Sequence, residues 1–241
     1  MTPELLSLTK RFHLKVASGR KFTPSRHDLT GEEYLLELLR AEADDRDKRA
    51  RAERAKQARL PTFKGFNDFD ANFQKGITRD QLVTLEKLEW LDQAFNLVLI
   101  GPPGTGKTHI SLAVANKAVD DGYKVFFATM DSLMHILKTQ EISTKSAARV
   151  RWINKCDLVV VDEVGYLPVS KTEANLFFSL VSSLYEKASL IITSNKGFSG
   201  WAELLGDPVL ATALLDRLTH KCQVLNLEGD GWRIANRQHI F

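Results

Sequence analysis

The chain has 241 residues, 44% of them hydrophobic and 26% charged, and a formal net charge of +3. This is ordinary globular composition, with room for one large domain or for a domain of roughly 170 residues and a small appendage. No apolar run approaches the ~18 residues that cross a bilayer, so no membrane association is expected. Near the N-terminus, Lys10, Arg11, Lys15 and Arg20 leave no apolar stretch of the kind a secretory signal needs. Cys156 and Cys222 are far apart and have no metal-ligand spacing, which suits a reducing compartment, the cytoplasm. The six His are not clustered, and no zinc site is expected.

In chain order, Leu5, Leu6, Leu8 and Phe12 predict a short amphipathic helix, followed by a loop with Gly19, Pro24 and Ser25. Thr30 and Glu33 form a capping-box pattern at the start of a second helix. Leu35, Leu38, Leu39 and Ala43 share one of its sides. Beyond Asp44 the apolar stripe ends. Arg46, Lys48, Arg49, Arg51, Arg54, Lys56 and Arg59 alternate mainly with Ala and point all round the axis, until Pro61 closes the helix. Residues 1–64 carry 15 Lys/Arg against 10 Asp/Glu, whereas the rest carries 18 against 20. A basic helical N-terminal domain over 1–64 and a nearly neutral second domain over 65–241 are therefore expected.

Residues 63–76 read as a connector, and Leu82, Leu85, Leu88 and Leu91 predict a helix over about 80–92. Strands are then predicted at 95–100, 124–129, 158–161, 190–193 and 223–227. Helices are predicted at 107–120, 131–137, 144–154, 171–186 and 208–220. Short apolar strands alternating with helices argue for a five-stranded parallel α/β sheet covered on both faces. Phe126 and Phe127 fall in a strand and are expected in the core.

Gly101, Pro102, Pro103, Gly104, Thr105, Gly106, Lys107 and Thr108 satisfy the pattern G-x-x-x-x-G-K-[ST] in full, between an apolar strand and a helix. Gly104 and Gly106 permit backbone turns that aim successive N–H groups at one anion. The helix opening at Lys107 adds its positive dipole end. Lys107 is expected to neutralise the β- and γ-phosphates of ATP, and the Thr108 hydroxyl to ligate Mg²⁺. A buried strand then ends in Asp162 and Glu163, where an open α/β sheet holds its ligands. Asp162 suits the metal shell, and Glu163 is placed to polarise an attacking water. After the strand at 190–193, Asn195 is positioned to hydrogen-bond the γ-phosphate and that water.

Gly101–Thr108, Asp162-Glu163-Val164-Gly165-Tyr166, Thr193-Ser194-Asn195, the Trp201 segment and Leu215-Asp216-Arg217-Leu218 resemble the IstB-like ATPases. These are ATP-binding helpers of bacterial insertion-sequence transposases, related to the DnaC-type helicase loaders. The resemblance implies an AAA+ core that hydrolyses ATP with Mg²⁺, binds duplex DNA and forms a homo-oligomer. It also implies that the protein regulates where a cognate transposase inserts. It makes Asn195 the first sensor and Arg217 an arginine finger reaching into a neighbouring copy. Two departures stand out. Gly229, Asp230, Gly231, Trp232 and Arg233 replace the usual Gly-x-Ser-Tyr-Arg, and the 14 residues after Leu227 are too few for a C-terminal helical lid.

Three readings of the basic stretch remain: a grip on DNA phosphates, a dock for an acidic patch on the transposase, or a solvated face. The alternative to a transposition helper is a replicative helicase loader of the DnaC type. A small-metabolite kinase and a nonhydrolysing scaffold are the other classes, and Asp162-Glu163 speaks against the kinase.

Overall fold

The computed structural model describes residues 3–19, 22–61, 64–166, 168–229 and 231–232. Arg233 lies outside them. The chain divides into two compact units, residues 1–53 and 54–241.

In the first unit, helices α1 (Pro3–Arg11) and α2 (Lys15–Ser18) precede the long α3 (Gly31–Ala58), which runs on into the second unit. The capping box opens α3 as the sequence indicates: Thr30 N–H donates to Glu33 Oε2 at 2.8 Å and Glu33 N–H to Thr30 Oγ1 at 3.2 Å. Leu35 and Leu39 remain about half exposed, and the buried position on this stretch is the charged Glu42. Its Oε1 accepts the Ala17 N–H at 2.8 Å, supplying an acceptor to the short α2. Arg59, in the left-handed region at φ 57°, ends α3 before Pro61 is reached.

The second unit follows the predicted alternation. A 3₁₀ turn at Phe66–Asp68 leads to α4 (Arg79–Lys87), β1 (Asn96–Ile100), α5 (Lys107–Asp120) and β2 (Val125–Thr129). Then come α6 (Met130–Lys138), α7 (Thr144–Ile153), β3 (Leu158–Val164), α8 (Lys171–Leu184) and β4 (Ser189–Ser194). The short α9 (Trp201–Leu205), α10 (Pro208–Thr219) and β5 (Cys222–Asn226) complete it. The sheet is five-stranded and parallel in the order β2-β3-β4-β1-β5. Successive residues of each strand bury into opposite layers. On β3, Val159 and Val161 join one core with Phe177 and Trp201, while Leu158 and Val160 join the other with Ile110 and Ala115. Phe126 and Phe127 divide between the two layers in the same way. A sheet covered on both faces explains why its strands read as continuous apolar runs.

Helix α4 stops earlier than its leucine spacing suggests. Leu88 turns left-handed at φ 61°, yet Leu88 and Leu91 stay buried in the turns that follow. Among the described residues no C-terminal helical lid follows β5. The strand order places β3, β4 and β1 side by side, so the loops leaving their C-terminal ends share one edge.

Candidate functional site

That edge opens as a cleft of about 600 Å³. One side is the loop from β1 into α5. Gly104 and Gly106 sit at φ +84° and +92°, conformations that disfavour any side chain. Both are also crowded: a Cβ on Gly104 would lie 2.9 Å from Gly231 Cα, and one on Gly106 would lie 2.6 Å from the Phe69 ring. The buried Thr105 braces the loop by donating from Oγ1 to Pro102 O at 2.8 Å. Gly106 caps α5 without a side-chain acceptor, which leaves the first amides of the helix to an anion. Lys107 folds back over the loop, its Nζ donating to Gly101 O at 2.6 Å and Pro102 O at 2.7 Å.

The opposite side is built at the end of β3. Thr108 Oγ1 lies 3.0 Å from both carboxylate oxygens of Asp162, which is only 3% exposed. The strand then bulges. Val161 pairs with Ile192 and Val164 with Ser194, so Asp162 and Glu163 together oppose the single residue Thr193. An added residue lets two neighbours that would face opposite ways serve one cleft. Glu163 is exposed and left-handed at φ 64°, an uncommon conformation for a residue with a side chain.

Thr193 holds this bulge. Its buried Oγ1 donates to Asp162 Oδ1 at 2.5 Å and accepts the Glu163 N–H at 2.9 Å. In the sequence Thr193 ends an apolar strand and opens the Thr193-Ser194-Asn195 motif, with no role of its own. The available signal was a hydroxyl two positions before Asn195, on the strand that pairs with the Asp-Glu strand. Asn195 follows β4, is exposed, and lines the cleft.

The cleft thus gathers Gly104, Gly106, Lys107, Thr108, Asp162, Glu163 and Asn195. Arg217 is not among its lining residues. It sits on α10, with Nη1 donating to Ala213 O at 2.9 Å and its guanidinium 4.7 Å from the centre of the Phe178 ring, a cation–π contact. Of the seven cations from Arg46 to Arg59, Arg49 pairs with Asp45 at 2.7 Å and Arg54 caps α5 through Val119 O at 3.1 Å. Arg46, Lys48, Arg51, Lys56 and Arg59 are exposed. Burial pushes the Cys156 thiol up to about 12 and the Cys222 thiol up to about 11, which leaves both protonated and poorly nucleophilic at neutral pH.

A hydroxyl and a carboxylate 3.0 Å apart are hard oxygen donors of the kind Mg²⁺ takes while it keeps waters and phosphate oxygens as its other ligands. Among the described residues no three His, Cys, Asp or Glu side chains cluster to hold a metal. The Thr108 hydroxyl and the Asp162 carboxylate fit an ion shared with a phosphate ligand.

Comparison with known proteins agrees with nucleotide binding. A family model described as IstB-like ATP binding protein matches residues 13–240. The chain is 41% identical over 235 residues to the insertion sequence IS21 ATP-binding protein of Pseudomonas aeruginosa, covering 97% of this chain and 89% of that one. It is 34% identical over 232 residues to the insertion sequence IS5376 ATP-binding protein of Geobacillus stearothermophilus, covering 95% and 92%. Among solved structures it is similar to DnaI, with TM-score 0.58 and 18% identity over 72% of this chain and 93% of that one. It is also similar to AMPPCP-bound DnaA from Aquifex aeolicus, with TM-score 0.58 and 24% identity over 71% and 52%. These two likenesses establish the fold, an AAA+ P-loop α/β core.

Proposed function

Because the chain belongs to the IstB-like ATP-binding proteins, the nucleotide-binding helpers of IS21-type insertion sequences, we propose that it is a Mg²⁺-dependent ATPase that switches a DNA-bound assembly serving a transposase. The observation that carries this reading is the meeting, in one cleft, of Lys107, the Thr108–Asp162 pair at 3.0 Å, and Glu163 on its bulge. Lys107 exchanges its loop carbonyls for phosphate oxygens, and the N-terminal amides of α5 hold the remaining charge. Thr108 and Asp162 would hold the metal, which would supply positive charge to offset that of the phosphate oxygens.

Hydrolysis needs one water aligned with the γ-phosphorus. Glu163 takes its proton as the new P–O bond forms and the bond to the ADP oxygen breaks, and Asn195 orients it. Thr193 keeps Asp162 and Glu163 in register with each other. A neighbouring copy completes the site with Arg217, which leaves its seat on Phe178 to meet the transferring phosphoryl group. Such a guanidinium is worth ~10³–10⁵ in rate.

The exposed cations Arg46, Lys48, Arg51, Lys56 and Arg59 suit sequence-neutral contact with duplex phosphates. The helical N-terminal domain, taken as residues 1–64, is therefore the DNA-contacting part of the proposal, and residues 65–241 are the ATPase domain. Cytoplasmic residence follows from that role. Glu163→Gln keeps the side chain's shape and removes its basicity. In this variant ATP binds with normal affinity, phosphate release drops at least about a hundredfold, and the assembly on DNA persists. Wild-type turnover by Glu163→Gln contradicts the proposal.

A further inference from the structure

The cleft wall away from the phosphate loop is aromatic. Phe69 and Phe73 come from the connector before α4, and Trp232 comes from the segment after β5. These two stretches, far apart in sequence, are laced together. Lys75 and Glu228 form an antiparallel bridge in which Glu228 N–H donates to Lys75 O at 3.0 Å, and Gln74 Nε2 donates to Glu228 O at 3.2 Å. The Phe73 and Trp232 rings meet edge to face, with centroids 5.1 Å apart at 89°. Phe69 is set in the same manner against His109, at 5.5 Å and 76°.

The wall is also fastened to the phosphate loop. Trp232 N–H donates to Gly104 O at 3.1 Å. The missing Cβ atoms of Gly104 and Gly106 leave room for Gly231 and for the Phe69 ring. Both glycines therefore serve twice, once for the turn and once for the close approach of the wall. Despite these fastenings Trp232 is 45% exposed while lining the cleft. An indole with much of its surface open beside an anion site offers a flat apolar face. Every nucleobase has a matching π-face, and the two-ring purines have the larger one.

We propose that Phe69, Phe73 and Trp232 form the seat of the nucleotide's purine ring. The proposal rests on the reading of Gly101–Thr108 as the phosphate cradle. Its distinguishing consequence is that affinity for the base and affinity for the phosphates are carried by different residues and are lost separately.

The test is calorimetric titration of the full chain with ATP, CTP and inorganic tripolyphosphate at fixed Mg²⁺. Wild type binds ATP more tightly than CTP, and both more tightly than tripolyphosphate. Trp232→Ala weakens ATP about tenfold and leaves tripolyphosphate unchanged, which also shows that the cradle is still folded. Trp232→Phe recovers most of the loss. In wild type the indole emission shifts with ATP but not with tripolyphosphate, and Trp232→Phe removes that shift. An unchanged ATP affinity in Trp232→Ala, or an equal loss for ATP and tripolyphosphate, overturns the seat while leaving the cradle standing. Failure of wild type to bind any of the three overturns the cradle, and the seat with it.

Discussion

Replacing Thr193 by Val keeps a branched side chain in β4 and deletes a hydroxyl that is 1% exposed by residue and engaged on both sides. A hydrogen bond to a charged acceptor contributes ~1.5–3 kcal/mol, and an amide left without its partner costs ~1–3 kcal/mol. Asp162 keeps the Thr108 hydroxyl at 3.0 Å, and the Glu163 site is partly open to water, so the combined loss falls short of the full sum. About 2–4 kcal/mol is expected, which in a chain of this size lowers Tm by ~5–15 °C. Thr193→Ser preserves both bonds and removes one methyl, at ~1 kcal/mol. Urea unfolding of the three proteins, read at constant m, should rank wild type above Thr193→Ser and that above Thr193→Val. Phosphate release should survive in the Ser variant and collapse in the Val variant, because only the latter frees Asp162 and Glu163 from each other. Equal stability of the Ser and Val variants refutes the hydroxyl as the pin of the bulge.

Two further outcomes are expected. Mixing Arg217→Ala with Lys107→Ala subunits restores part of the phosphate release that each lacks alone, since one variant supplies an intact cradle and the other an intact guanidinium. A silent mixture, with assembly confirmed by sizing, removes action in trans. Glu173 caps α8 and pairs with Lys138 on α6 at 3.0 Å. The Ser170 backbone N–H, then the Lys138 ammonium and the Ser170 hydroxyl, lower its carboxyl from 4.5 to about 2. A depressed folded value means that this stabilisation is complete above about pH 4.5 and lost as pH falls towards 2. The Tm gap between wild type and Glu173→Gln should therefore close over that window, and a gap that stays constant contradicts the linkage.

Much of the second unit was legible because its signals are local. The glycines, Lys107 and Thr108 mark both the end of β1 and the start of α5, and α5 spans Lys107–Asp120 as its sequence indicates. Asp162 and Glu163 announce a strand end by charge, yet β3 runs on to Val164, because the bulge absorbs the two carboxylates without ending the pairing. Period and propensity carry no sign of an extra residue in a ladder. Thr193 was hidden for a related reason: a β-branched residue in an apolar strand reads as packing, and only the register with β3 turns its hydroxyl into a pin. Leu88 misled because its spacing continues the α4 stripe while its backbone has already turned left-handed. In the first unit the leucine stripe implied burial of Leu35 and Leu39, whereas Glu42 takes the enclosed position by giving α2 its acceptor. The aromatic wall depends on contacts between residues near 70 and near 230, a separation at which a single sequence carries no pairing information.

A crystal structure of the chain with a nonhydrolysable ATP analogue and Mg²⁺ decides whether Gly101–Thr108 is the phosphate cradle. The expected result is the triphosphate against the amides of Gly104–Thr108, Lys107 Nζ moved onto phosphate oxygens, and the metal ~2 Å from Thr108 Oγ1 beside Asp162. An empty loop in crystals whose analogue density lies elsewhere on the chain contradicts it.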